Sequence, residues 1–125
     1  AEDLAVAQGL MHVMRREMLS WWSDGFDLLL TPTTAAPPPP IGELVPTDEE
    51  PLRALYGSVP YATFTSPFNT TGQPAISLPT HQTPDGLPGG VQLVAGYGRE
   101  DVLIRMAAQL ESELDWASAR APMHP

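Results

Sequence analysis

The sequence predicts an α/β unit, a small sheet flanked by helices. Two observations carry this. Near both ends apolar residues recur at spacings of three and four, the pattern of amphipathic helices. Between them lie three short apolar runs, residues 26–30, 75–78 and 91–95, each of strand length and bounded by proline or glycine.

The first helix is expected over residues 3–22. Leu4, Ala7, Met11, Met14, Met18 and Trp21 fall on one stripe, which Leu10 and Val13 widen, while Gln8, His12, Arg15 and Ser20 take other faces. Adaptable methionine side chains on such a stripe are expected to pack into a core. Ser23-Asp24-Gly25 ends the helix, with the glycine as C-cap. A strand over 26–30 follows; its continuous apolar character predicts burial on both faces. Residues 31–46 form a loop carrying four successive prolines, Pro37 to Pro40. Such a run adopts extended polyproline II, as a stiff connector or as a free ligand for a module that reads it.

Thr47-Asp48-Glu49-Glu50 has the form of a capping box, opening short helices across 48–71. Pro51 is tolerated in a first turn, Pro67 bends the segment and Gly72 terminates it. Strands at 75–79 and 90–95 pair antiparallel across a long loop, with Asp85-Gly86 and Gly89-Gly90 as its turn residues. Alternation puts Ile76 and Leu78 on one face and Ser77 on the other; Val91, Leu93 and Ala95 share a face, opposite Gln92 and Val94. The last helix spans 99–117. Glu100 and Asp101 sit in its first turn, where the helix dipole favours anions, and Leu103, Met106, Ala107, Leu110, Leu114 and Ala117 form its apolar stripe. Residues 118–125 read as a tail.

Composition narrows the function. The 125 residues make one small domain at most, with 15 acidic against 6 basic residues and a net charge of −9. That sign disfavours direct nucleic-acid binding and anionic membrane surfaces. Every basic residue is arginine; there is no lysine and no cysteine, so thiolate metal sites and cysteine nucleophiles are excluded. No apolar run is long enough for a membrane span. His12, His81 and His124 share no metal-ligand spacing and are expected at the surface; His81, after a strand end, is the best placed of them. The adjacent carboxylates Glu49-Glu50 and Glu100-Asp101 read as caps and solvated faces. The residues alone assemble no nucleophile with a matching base, and imply no metal and no cofactor.

Linked motifs say more. FDLLLTPTTAAPPPPIG, FTSPFNTTGQPAISLP and DGLPGGVQLVAGYGRED, in this order and spacing, resemble the carboxy-terminal third of the amidase signature family. The matching positions are Asp27 to Pro32, Pro67 to Pro79, Gly86 to Gln92 and Glu100. The resemblance implies a large mixed sheet between helices, incomplete in this chain, and hydrolysis of carboxylic amides. It implies a serine nucleophile, a second serine after a cis peptide bond and a lysine base, all upstream of the matched region, with oxyanion stabilisation by backbone N–H groups. No catalytic residue carries over. The resemblance maps part of the substrate pocket onto Ala62, Thr65, Ser66 and Phe68, and brings Thr31 and Pro32 close to it. Phe68 also reads as an aromatic packing under the sheet, Asn69 as a hydrogen-bond partner of the Gly72 turn, and Gln92 as satisfying backbone groups of a neighbouring strand.

The expectation is therefore a carboxy-terminal fragment of a longer amidase, inactive alone, whose partners are the amino-terminal remainder of the enzyme and a small amide. Isolated, it is expected to self-associate or to need that remainder. Three alternatives stand beside this: the glutaminase subunit of a tRNA-dependent amidotransferase, a non-catalytic interaction module using the proline-rich loop, and a degenerate family member. The all-arginine basic set and the alanine- and proline-heavy composition suggest a high-GC bacterium, with a cytoplasmic location.

Overall fold

A computed structural model describes residues 2–119. Five helices and three strands follow in the order α1 (Glu2–Ser20), β1 (Leu28–Pro32), α2 (Arg53–Gly57), α3 (Val59–Ala62), α4 (Ser66–Thr71), β2 (Ala75–Gln82), β3 (Pro88–Ala95) and α5 (Glu100–Leu114). Among the described residues no helix is long and apolar enough to cross a membrane.

The sheet has the order β1-β3-β2, and both pairings are antiparallel. Strand β3 is central. Leu28↔Ala95, Leu30↔Leu93 and Pro32↔Val91 fix its register with β1; Ala75↔Val94 and Leu78↔Val91 fix it with β2. On one face Leu78, Leu93 and Ala95 join Leu103 of α5 in the core, flanked by Leu28, Ile76, Met106, Ala107 and Leu110. The other face presents Gln92 and the fully buried Val94 towards α4 and the end of α1. Side chains of one strand thus feed two layers, as the strand period of two dictates.

Several elements depart from the sequence reading, each for a local reason. Helix α1 stops at Ser20 and tightens into a 3-10 turn, Trp21–Asp24, closed by Gly25 at φ 89° donating to Trp22 O at 3.2 Å. Its methionine stripe does not pack into a core: α1 buries no residue, and only Met14, Arg15, Met18 and Leu19 are even half-buried. The surface that would cover the rest is not among these residues. Strand β1 begins at Leu28 because Phe26 stacks on Trp21, with ring centroids 4.2 Å apart. It is an edge strand, not one buried on both faces: Leu30 is 63% exposed.

The helix expected from 48 starts at Arg53. Thr47 Oγ1 does accept the Glu50 N–H at 3.1 Å, but the Glu50 carboxylate pairs with Arg53 instead of returning to the Thr47 N–H. Pro51 steers Glu50 away from the helical region, so no helix can run through it. Pro67 sits in the first turn of α4, and Gly72, at φ 76°, donates to Phe68 O at 2.8 Å. Gly89 and Gly90 are strand residues; the hairpin turn is 83–87, where Gly86 N–H reaches Thr83 O at 2.9 Å and Leu87 N–H reaches Thr83 Oγ1 at 3.1 Å. A Cβ at Gly89 would meet the exposed His81 ring and require it to move, and one at Gly90 would lie 3.3 Å from Leu78 O and from the hydroxyls of Ser77 and Thr33. Helix α5 ends at Leu114, three residues early, where Asp115 turns left-handed at φ 43° into a second 3-10 turn, Trp116–Ser118. Of the expected tail, residues 120–125, including His124, lie outside the described residues.

Candidate functional site

The register of β1 on β3 places Thr31 opposite Gln92, and that of β2 places Ser77 opposite Gln92, so three polar side chains cross the sheet in one row. Gln92 is 4% exposed and its amide needs partners. Its Nε2 donates to Thr31 Oγ1 at 3.1 Å and to Phe64 O at 2.9 Å. One side chain thereby ties β1, β3 and the α3–α4 turn together. Beside it the Thr33 and Ser77 hydroxyls bond at 2.7 Å.

The pocket residues implied by resemblance sit around this seam in two groups. Thr31 lies on it. Ala62 ends α3, and its carbonyl accepts the Thr65 N–H at 3.1 Å and the Thr65 hydroxyl at 3.3 Å. Ser66 is exposed at the start of α4. The Phe64 carbonyl lies within the same turn, so the Gln92 amide brings Thr31 and the 62–66 turn together. Phe68 is separate. It is buried and lines a cleft of about 440 Å³ with Met18, Trp21, Trp22, Leu29 and Gln73. Thr31 and Pro32 line a different cleft, about 510 Å³, between the proline-rich loop and the 87–91 end of the hairpin. The Gly72 turn is held by Thr71, whose hydroxyl donates to Gln73 Oε1 at 2.7 Å, while Asn69 is exposed. The Gln92 side chain bonds a neighbouring strand's hydroxyl and a helix-turn carbonyl, not the backbone groups of a neighbouring strand.

None of the named pocket residues is charged; His81 lines the same cleft as Thr31 and Pro32, and Glu17 lines that of Phe68. The resolved electrostatic shifts lie elsewhere. At the start of α5 the Arg99 guanidinium donates to Asp101 at 3.0 Å and holds its carboxyl below the usual range, while Arg99 itself is shifted upward. Arg105 adds a second contact to Asp101 at 2.7 Å. His12 and His81 are exposed, and no group of three metal-ligating side chains occurs among the described residues. Sequence reasoning did not find Thr33–Ser77 or Thr71–Gln73; the alternation Thr31-Pro32-Thr33 was the available signal for the first.

Comparison with known proteins places this arrangement. The amidase family model matches residues 2–104. The chain is 50% identical over 105 residues to 6-aminohexanoate-cyclic-dimer hydrolase of Paenarthrobacter ureafaciens, covering 80% of this chain and 21% of that protein. The solved structure of a 6-aminohexanoate cyclic dimer hydrolase superposes with a TM-score of 0.89 at 42% identity, over 98% of this chain and 26% of that one. A glutamyl-tRNA(Gln) amidotransferase subunit from Thermotoga maritima superposes with a TM-score of 0.64 at 28% identity, over 90% of this chain and 23% of that one. The chain thus spans about a fifth to a quarter of the length of these relatives. A hairpin, an edge strand and two flanking helix layers that superpose so closely, together with a match across most of the sequence, establish that this chain belongs to the amidase family.

Proposed function

We propose that these residues are the carboxy-terminal part of an amidase that hydrolyses carboxylic amides to an acid and ammonia or an amine. In this reading the chain supplies sheet scaffold and one wall of the substrate pocket, through Thr31 and the 62–66 turn. The serine, the cis-linked serine and the lysine lie upstream. One observation carries the reading: the chain matches the amidase family over residues 2–104 while its sequence holds no lysine. The 50% identity to a 6-aminohexanoate-cyclic-dimer hydrolase makes the cyclic dimer of 6-aminohexanoate the first substrate to try.

The test uses the natural-length protein and a fluorophosphonate probe. An upstream serine should be labelled and amide turnover lost with it, while the 125 residues alone turn over nothing. Labelling at Ser58, Ser66 or Ser77 would overturn the assignment. The second reading, a glutaminase component of an amidotransferase, rests on the likeness to the Thermotoga maritima protein. It requires glutamine hydrolysis that depends on a partner protein, and amide hydrolysis by the protein alone decides against it.

A further inference from the structure

Helix α1 stands partly clear of the body. Every residue from 2 to 13 is exposed, and half-buried positions begin only at Met14 and Arg15. At about 1.5 Å per residue this free half is roughly 18 Å long. It is not a polar helix. At about 100° per residue, Val13, Val6, Leu10, Asp3, Ala7, Met11 and Leu4 fall in sequence around one half of the circumference, with Asp3 of the first turn its one charge, and Gln8, His12, Ala5, Gly9 and Glu2 around the other. Leu4, Val6, Leu10, Met11 and Val13 are all exposed large hydrophobics. A dozen residues of helix this exposed are marginal in water, so such a half-apolar segment needs a cover to hold its shape.

We propose that the apolar face of the free half of α1, centred on Leu10, Ala7 and Met11, is the surface on which the remaining polypeptide of the same enzyme docks. This rests on the amidase reading above. The occupant follows from length and fold together: a solved relative aligns over 98% of this chain, α1 included, yet only 26% of that relative is matched. Three-quarters of a chain of that kind is polypeptide that this one lacks, and here α1 has an uncovered face to offer it. A second copy of this chain is the competing occupant; it would bring only another helix equally short of cover.

Cysteine accessibility tests this directly, because these residues contain no cysteine of their own. In the natural-length protein, Leu10→Cys and Met11→Cys are compared with Gln8→Cys and His12→Cys, which lie outside the apolar half of the same helix, about 160° round from Leu10, and on the same tryptic peptide. All four side chains are exposed here, so the thiol disturbs no packing within the described residues. Maleimide labelling, read by mass spectrometry of that peptide, should be more than about tenfold slower at positions 10 and 11 than at 8 and 12. Equal rates at all four positions overturn the docking surface, and so does protection that disappears on dilution, which would assign the face to a second copy. Fluorophosphonate labelling of the upstream serine in the same sample separates the two ideas. If that serine reacts while positions 10 and 11 label freely, the docking surface is wrong and the amidase reading stands. If no upstream serine reacts, the amidase reading itself has failed.

Discussion

Gln92 does the most joining of any single side chain. Its amide holds a hydroxyl of β1 and a carbonyl of the α3–α4 turn from a position almost closed to water. Gln92→Leu keeps the volume but strands both partners, and a buried unpaired carbonyl costs about 1–3 kcal/mol. Thr31→Val removes one of two acceptors and leaves the Phe64 bond intact, so its cost should be below about 1 kcal/mol. Urea melts of the two variants should show this order; an equal loss from both would mean the seam is not shared in this way. Asp101 gives the residue scale its pH dependence. Its carboxyl is depressed, first by the Arg99 hydrogen bond, so its contribution is present above the ordinary carboxylate value and is lost as pH falls through the lower folded value. Asp101→Asn should therefore be less stable than the parent at pH 7, and the difference should shrink as pH falls below the ordinary carboxylate value.

Among elements, α1 and the hairpin show how far periodicity carries. The spacing of Leu4, Ala7, Met11 and Met14 announces a helix, and the alternation in 75–78 and 91–95 announces which side chains share a face. Both are local properties of the chain, and both are legible. What covers a face is not local. The same stripe predicts a core contact whether or not its cover is present, which is why α1 reads as buried and stands exposed. Short-range sterics explain the shifted boundaries: Pro51 holds the helix start back to Arg53, and Gly89-Gly90 lie at close approaches in the strand rather than in the turn. The candidate site was suggested only by resemblance. Thr31 and the 62–66 turn lie more than thirty residues apart, and nothing in their spacing says that one glutamine amide will join them. Gly9 offers a test at this scale. It lies within α1 with open space where a Cβ would go, so Gly9→Ala should stabilise the helix by about 0.5–1 kcal/mol, seen as added helical ellipticity and a later melt.

For the molecule as a whole, the balance of surfaces is the main fact. Among the described residues six hydrophobic side chains are buried, whereas seventeen large ones are exposed, from Leu4 on α1 through Ile41, Leu55 and Tyr56 to Ile104 on α5. A monomer that lives alone rarely leaves apolar surface so widely open. The isolated chain should bind a hydrophobic dye and sediment above monomer mass at micromolar concentration; a dye-silent monomer would count against its being a part of a larger body. The acidic balance, −9 in 125 residues, opposes that association only at low salt, so added salt should promote it.

The central place of β3 has a consequence in time. Its partner β2 is the preceding strand, joined by a five-residue turn, but its partner β1 lies far back in the chain: Thr31 and Gln92 are 61 positions apart. Ring closure over such a span carries an entropic penalty that grows as the logarithm of its length, so the hairpin can assemble and recruit α5 while the amino-terminal ribbon is still searching. The amides of Leu28 to Thr31 should accordingly be the last of the sheet to gain protection during refolding and the first to surrender it.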